Sequence, residues 1–211
     1  MKVVGVSNVR LENLVIRGGR ANGSAPDNLG GGIYMENVRY SVLTNIIISN
    51  NSASYGGGIF VNGRNNNTIS GSVYSNSATV NGGGIFVNGN SNTISGSVYG
   101  NRASVDGGGI YVSGSNNTIS GDVYGNSGGI SGGNGGGIYV SGGVNNTISG
   151  SLYGNRGAFG GGIYVFGGSS NTISGSIYSN IATIFGGGIF VSGNSNTISG
   201  SVYNNSAYNG G

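Results

Sequence analysis

The chain has 211 residues, of which 49 are glycine, one is proline and none is cysteine, histidine or tryptophan. With 36% hydrophobic and only 6% charged residues it is too apolar for a disordered segment, and the lack of cysteine excludes a disulfide scaffold and thiolate metal sites. The net charge of +3 is no basic patch: from Tyr40 onward only Arg64, Arg102, Arg156, Asp106 and Asp122 carry charge, so no nucleic-acid partner is expected.

Residues 1–55 read as the less regular start of an array. Met1 and Lys2 precede only a short apolar run, and nowhere do the roughly 18 apolar residues of a membrane span occur together, so membrane insertion by this segment is not expected. Glu12, Asp27 and Glu36, three of the five carboxylates, lie here.

From residue 56 to 209 the chain repeats itself. A glycine run with a hydrophobic tail recurs with its isoleucine at Ile33, Ile59, Ile85, Ile110, Ile138, Ile163 and Ile189, at spacings of 25 to 28 residues. One unit, residues 82 to 106, reads "GGGIFVNGNSNTISGSVYGNRASVD" and holds strand-forming runs bounded by Gly, Asn and Ser clusters, with no helical period. The distance from the Asn of "NTIS" to the Asn after the Tyr is nine residues in all six copies, whereas length varies only after "VxG" and before the glycine run, as in the longer turn at 127–134. Fixed segments and elastic turns predict an all-β parallel β-helix, about eight coils of 25–26 residues with three short strands each, filling 1–211 as one array. Each residue then lies one strand spacing, roughly 4.7 to 4.9 Å, above its equivalent.

The columns this stacking creates are readable at once. Ile69, Ile94, Ile119, Ile148, Ile173 and Ile198 form one interior ladder, Val73, Val98, Val123, Leu152, Ile177 and Val202 a second, and the glycine-run isoleucines a third. Ala53, Ala78, Ala103, Gly128, Gly157, Ala182 and Ala207 form a column of small residues that implies tight packing. Two asparagine columns are expected to be structural ladders that turn the corners, Asn in such places tolerating the left-handed conformation: Asn67, Asn92, Asn117, Asn146, Asn171 and Asn196, and Asn76, Asn101, Asn126, Asn155, Asn180 and Asn205.

Alternation sends Thr68, Ser70, Ser72 and Tyr74 outward and places two aromatic columns on the surface as candidate sites for a ligand or partner. One is Tyr74, Tyr99, Tyr124, Tyr153, Tyr178 and Tyr203; the other, which starts at Tyr34, is Phe60, Phe86, Tyr111, Tyr139, Tyr164 and Phe190. The glycine run is no phosphate loop, since a strand rather than a Lys and a helix follows it, and "GGNGGGIYV" lacks the Asp of a calcium-binding repeat. Neither cofactor nor metal is expected. Asp106 and Asp122 are 16 residues apart, in different columns, and no histidine can serve as a base, so catalysis is not expected either.

The stretches "IISNNSASYGGGIFV" (47–61), "VYSNSATVNGGGIFV" (73–87) and "VYGNRASVDGGGIYV" (98–112) resemble the repeats of polymorphic outer membrane proteins, with GGG where those have GGA. That resemblance implies a right-handed parallel β-helix displayed outside the cell as an adhesin. The terminal "GG", residues 210–211, reads as the start of a further truncated repeat, which suggests self-association of coils end to end or laterally in a filament. The expected function is a non-catalytic, extracellular structural or adhesive β-helix with a surface glycan or host receptor as partner. The alternatives are a carbohydrate-binding or polysaccharide-processing β-helix, motivated by the aromatic columns, and an ice-binding one, motivated by the hydroxyl columns.

Overall fold

Each coil turns at its glycine run, and the turn explains why the run exists. The computed structural model describes residues 1–63, 66–129 and 132–210. The first glycine of each run is left-handed, as at Gly82 (φ 67°), Gly107 (φ 63°) and Gly135 (φ 63°), which bends the chain where an L side chain is disfavoured. A Cβ on the second glycine would strike backbone: Gly83 faces the Gly108 carbonyl and the backbone of Arg102 in the next coil. Successive glycine runs hydrogen-bond one coil apart, Gly83 N donating to Gly107 O at 3.1 Å and Gly84 N to Gly109 O at 3.0 Å.

Beyond the corner the chain enters the first of three parallel sheets, an eight-stranded one running from Lys2–Val4 to Ile189–Ser192. Its register is that of the repeat: Ile85 pairs with Ile59 on one side and Ile110 on the other. The second sheet has fourteen strands because most coils contribute two short ones, such as Thr93–Ile94 and Ser97–Tyr99, to either side of a glycine. At that glycine a Cβ has no room; on Gly96 it would meet the Gly71 backbone of the coil below. The third sheet has seven strands, from Ser52–Tyr55 to Ser206–Asn209.

The three interior ladders meet in one hydrophobic core, in which Ile69, Val73 and Ile85 are joined by their equivalents above and below. Burying each such side chain is worth roughly 1.5 to 3 kcal/mol. Only the last rung, Ile198 and Val202, is exposed. The small-residue column faces the glycine runs: a Cβ on Gly128 would lie 3.0 Å from Gly135 O and 3.2 Å from Gly108 N. Third-sheet strand and glycine corner thus approach backbone to backbone, which is why Ala or Gly holds every position in that column.

The corners themselves differ from the expectation in one respect. The left-handed residue is not the ladder asparagine but the one before it: Ser75 before Asn76, Gly100 before Asn101, Asn116 before Asn117, Ser170 before Asn171. That bend turns the asparagine side chain inward. Three coils carry an extra residue beside "VxG"; in two of them the left-handed Gly142 or Gly167 absorbs it, so that Gly143 stacks on Gly114 and Gly168 on Gly143 and the ladder behind is not shifted. Ile130 and Ser131 of the longer turn, and Gly211 of the terminal glycine pair, lie outside the described residues.

Candidate functional site

The two asparagine columns are brought together as expected, and they are interior. Oδ1 of Asn101 accepts from both the backbone N (2.9 Å) and Nδ2 (3.0 Å) of Asn76, while Nδ2 of Asn101 donates to Asn126 Oδ1 at 3.0 Å and to Val73 O at 2.9 Å. The same pattern continues through Asn155 and Asn180 to Asn205. The second column does likewise, its Nδ2 groups donating to the carbonyls of a stacked glycine column: Asn117 to Gly89 O and Asn171 to Gly143 O. These amides are structural, each one satisfying corner backbone that burial would otherwise leave unpaired.

Both ladders reach further toward the N-terminus than the sequence repeat indicated. Asn51 begins the first, donating to Asn76 Oδ1 at 2.9 Å and accepting from Gly19 N at 2.8 Å. Ser41 continues the second, its backbone N donating to Asn67 Oδ1 at 3.2 Å and its hydroxyl accepting from Val9 N at 3.0 Å. The "SNN" at 49–51 was the available signal for Asn51; no sequence pattern marked Ser41.

On the second sheet the six tyrosines form one stack. Centroids of successive rings from Tyr74 to Tyr203 are 4.8 to 5.1 Å apart and the rings lie within 9° of parallel. The spacing is that of the strands beneath them. Each inner ring therefore has both faces covered by its neighbours, and burial raises the phenol pKa of Tyr99 and Tyr153. A sugar ring, which packs on an aromatic face, finds none free inside this stack.

The first-sheet column points away from the core but is not the open surface expected: Tyr34, Phe60 and Tyr139 are only 3%, 6% and 7% exposed. A column the sequence reading missed lies against it, formed by the residue just before each glycine run. Leu29 pairs with Tyr55, Tyr55 with Asn81, Asn134 with Phe159, and Phe159 with Phe185. Tyr55 stands edge-on to Phe86 (5.6 Å, 79°), and Phe159 stands edge-on to Phe190 (5.7 Å, 77°). Toward the C-terminal end the regular stack gives way, Tyr164 lying tilted against Tyr139 and Phe190.

Midway along, this column is polar. Asp106 N donates to Asn81 Oδ1 at 3.0 Å, and Asp106 Oδ1 accepts from the backbone N (2.9 Å) and Nδ2 (3.0 Å) of Asn134. Burial pushes the Asp106 carboxyl up, only partly countered by Asn134. Tyr139 beside it is also pushed up, first by burial and then by the Asp106 charge. Asp122 lies on the second side, just before the strand Val123–Tyr124, accepting from Ser151 N at 3.0 Å. Among the described residues no three carboxylates or histidines gather in a metal-binding group, and no helix is long and apolar enough to cross a membrane.

Between the two columns lies a groove of about 270 Å³ lined by Leu29, Tyr55, Phe60, Asn62, Phe86 and Asn88. Phe60 and Phe86 stack in its floor at 5.0 Å and 11°. Asn62 and Asn88 edge it, Asn88 Nδ2 donating to Asn62 Oδ1 at 2.8 Å.

Three parallel sheets wound about a single core define a β-solenoid. Residues 57–211 match the family model described as the right-handed β-helix region, and the chain belongs to that family. No curated protein and no solved structure matches the chain.

Proposed function

We propose that this β-helix is a non-catalytic, extracellular adhesive rod, of the kind implied by its resemblance to polymorphic outer membrane protein repeats, which presents its outer columns to a surface glycan or host receptor. The observation that carries the reading is the unbroken run of two asparagine ladders and a six-tyrosine stack in one register. Such a body is stiff along its axis and shows nearly the same side chains at every coil, which suits multivalent attachment. The carboxylates support it too: Asp106 is engaged by Asn134 and Asp122 by the Ser151 backbone, on different sides of the coil. The glycine bend in the second sheet divides the Thr and Ser columns between two facets, which weighs against ice binding.

The test is adhesion. Beads coated with the purified chain should attach to cell monolayers or matrix far more than beads coated with a charge-matched inert protein, and antibody should label intact producing cells. Equal attachment of the two bead types, or labelling only after permeabilisation, would overturn the proposal.

A further inference from the structure

The groove beside Tyr55 joins aromatic rings to amide groups. Its floor is the ring edges of Phe60 and Phe86, whose faces are covered by Tyr34, each other and Tyr111, its wall is Tyr55 at 79° to Phe86, and its rim is amide. Tyr55 lies in its own column between Leu29 and Asn81, so no aromatic ring covers it from the coil above or below, unlike the inner rings of the tyrosine stack. The rim is supplied with both kinds of hydrogen-bonding group. Asn88 uses one Nδ2 hydrogen on Asn62, and among the described residues no other hydrogen bond engages either side chain, leaving Asn62 Nδ2 to donate and Asn88 Oδ1 to accept.

An aromatic corner with a donor and an acceptor at its edge matches a pyranose, whose C–H face is apolar and whose hydroxyls radiate from the ring. The volume of about 270 Å³ is close to the roughly 300 Å³ at which small-ligand pockets begin, room for one ring rather than a chain. Charge narrows the class. None of the six lining residues is charged, and the rim column continues in register to Glu36, whose carboxylate accepts from Tyr34 Oη at 2.6 Å and would repel a uronate or sialic acid.

We propose that the groove lined by Leu29, Tyr55, Phe60, Asn62, Phe86 and Asn88 is a subsite for one neutral pyranose residue of a glycan. The assignment rests on the adhesive reading and gives it a ligand class. The Tyr74–Tyr203 stack, whose ring faces are covered, is not the site.

The experiment is saturation-transfer NMR and calorimetry on the whole chain with cellohexaose, mannohexaose and xylohexaose, and with hexagalacturonate as the anionic probe. At least one neutral oligosaccharide should bind and hexagalacturonate should not. Tyr55→Ala should weaken binding about tenfold or more, Asn62→Ala should weaken it also, and Tyr124→Ala should leave it unchanged. Thermal unfolding of each variant identifies any that has merely lost its fold, and Tyr55→Leu, which keeps the apolar volume, provides a second reading. No binding of any neutral probe, or binding indifferent to Tyr55 and Asn62, would overturn the assignment. Beads that still attach to cells but ignore competing oligosaccharide sink the subsite and leave the adhesive reading standing. Sugar binding in solution without bead attachment does the reverse.

Discussion

Gly109 and Asn126 are fitted to each other: a Cβ placed on the third glycine of the run would come to 3.0 Å from both Cγ and Nδ2 of the asparagine. The same contact joins Gly58 to Asn76, Gly84 to Asn101 and Gly162 to Asn180. Glycine run and asparagine therefore recur in step for a packing reason, the amide needing a corner without side chains to reach its partners.

Removing the amide is costly. Asn126→Ala takes the acceptor from the buried backbone N of Asn101 and removes one bond each from Asn101 Nδ2, which keeps Val73 O, and from the Val98 carbonyl. At about 1 to 3 kcal/mol for the unpaired N–H and about 1 kcal/mol for each of the other bonds, the loss should be about 3 kcal/mol. Urea unfolding should show it, while Asn88→Ala, on the exposed rim, should stay within about 0.5 kcal/mol of the parent.

Tyr40 offers the opposite result. It is a non-glycine residue with φ 54° at the place where other coils have Asn66, Ser91, Asn116 or Ser170. A bulky side chain there carries roughly 1 to 2 kcal/mol of left-handed strain that a short polar one relieves in part. Tyr40→Asn should therefore raise the unfolding midpoint, and an unchanged or lowered midpoint would show that the Arg39 guanidinium over the Tyr40 ring, 5.8 Å from its centroid, outweighs the strain.

Asp106 makes stability depend on pH in a definite direction. Burial raises its folded pKa above the ordinary 3.8, so the folded state holds the proton more tightly than the unfolded chain. Its contribution is fully present below that ordinary value and declines as pH rises through the raised folded pKa, then stays level. Asp106→Asn removes this dependence and supplies an amide that can donate toward Asn81 Oδ1, the acceptor already used by the Asp106 backbone N. The variant should gain about 1 kcal/mol over the parent at neutral pH and less at pH 3, measured by denaturant unfolding across that range.

At the other end of the scale, burial and the hydrogen bond to Glu36 push Tyr34 up to about 12. Tyrosine absorbance followed against pH should show several phenols ionising above the ordinary range, Tyr34 with Tyr99, Tyr139, Tyr153 and Tyr164, and Glu36→Gln should bring one of them, Tyr34, earlier. Because the folded pKa exceeds the ordinary 10.0, this phenol stabilises the fold below pH 10 and ceases to do so as pH passes about 12.

The parts of the molecule legible in sequence are those identical in every coil. Ile69, Val73 and Ile85 repeat in type and spacing, so the three interior ladders and the register followed directly, as did the two asparagine columns. The pre-glycine column was not legible, because Leu29, Tyr55, Asn81, Asp106 and Phe159 share a position but no chemistry, and they end the turn whose length varies. Missing that column also hid the burial of Tyr139 and Phe60, which it covers, and with it the groove at Tyr55. The conformation of the corners was hidden for another reason. Asn116 and Asn117 are the same residue type, and only backbone geometry tells the left-handed one from the one that turns inward.

Asparagine amides buried in register hold the coils together, and side-chain hydrogen exchange reads this bond by bond. In a sample labelled with ¹⁵N on asparagine, the Nδ2 hydrogens of Asn76, Asn101, Asn126, Asn155, Asn92, Asn117 and Asn146 should exchange slowly, near the rate of global unfolding. Those of Asn62 and Asn88, at the exposed rim, should exchange within the dead time. Fast exchange at the ladder positions, alike with the rim, would contradict the account.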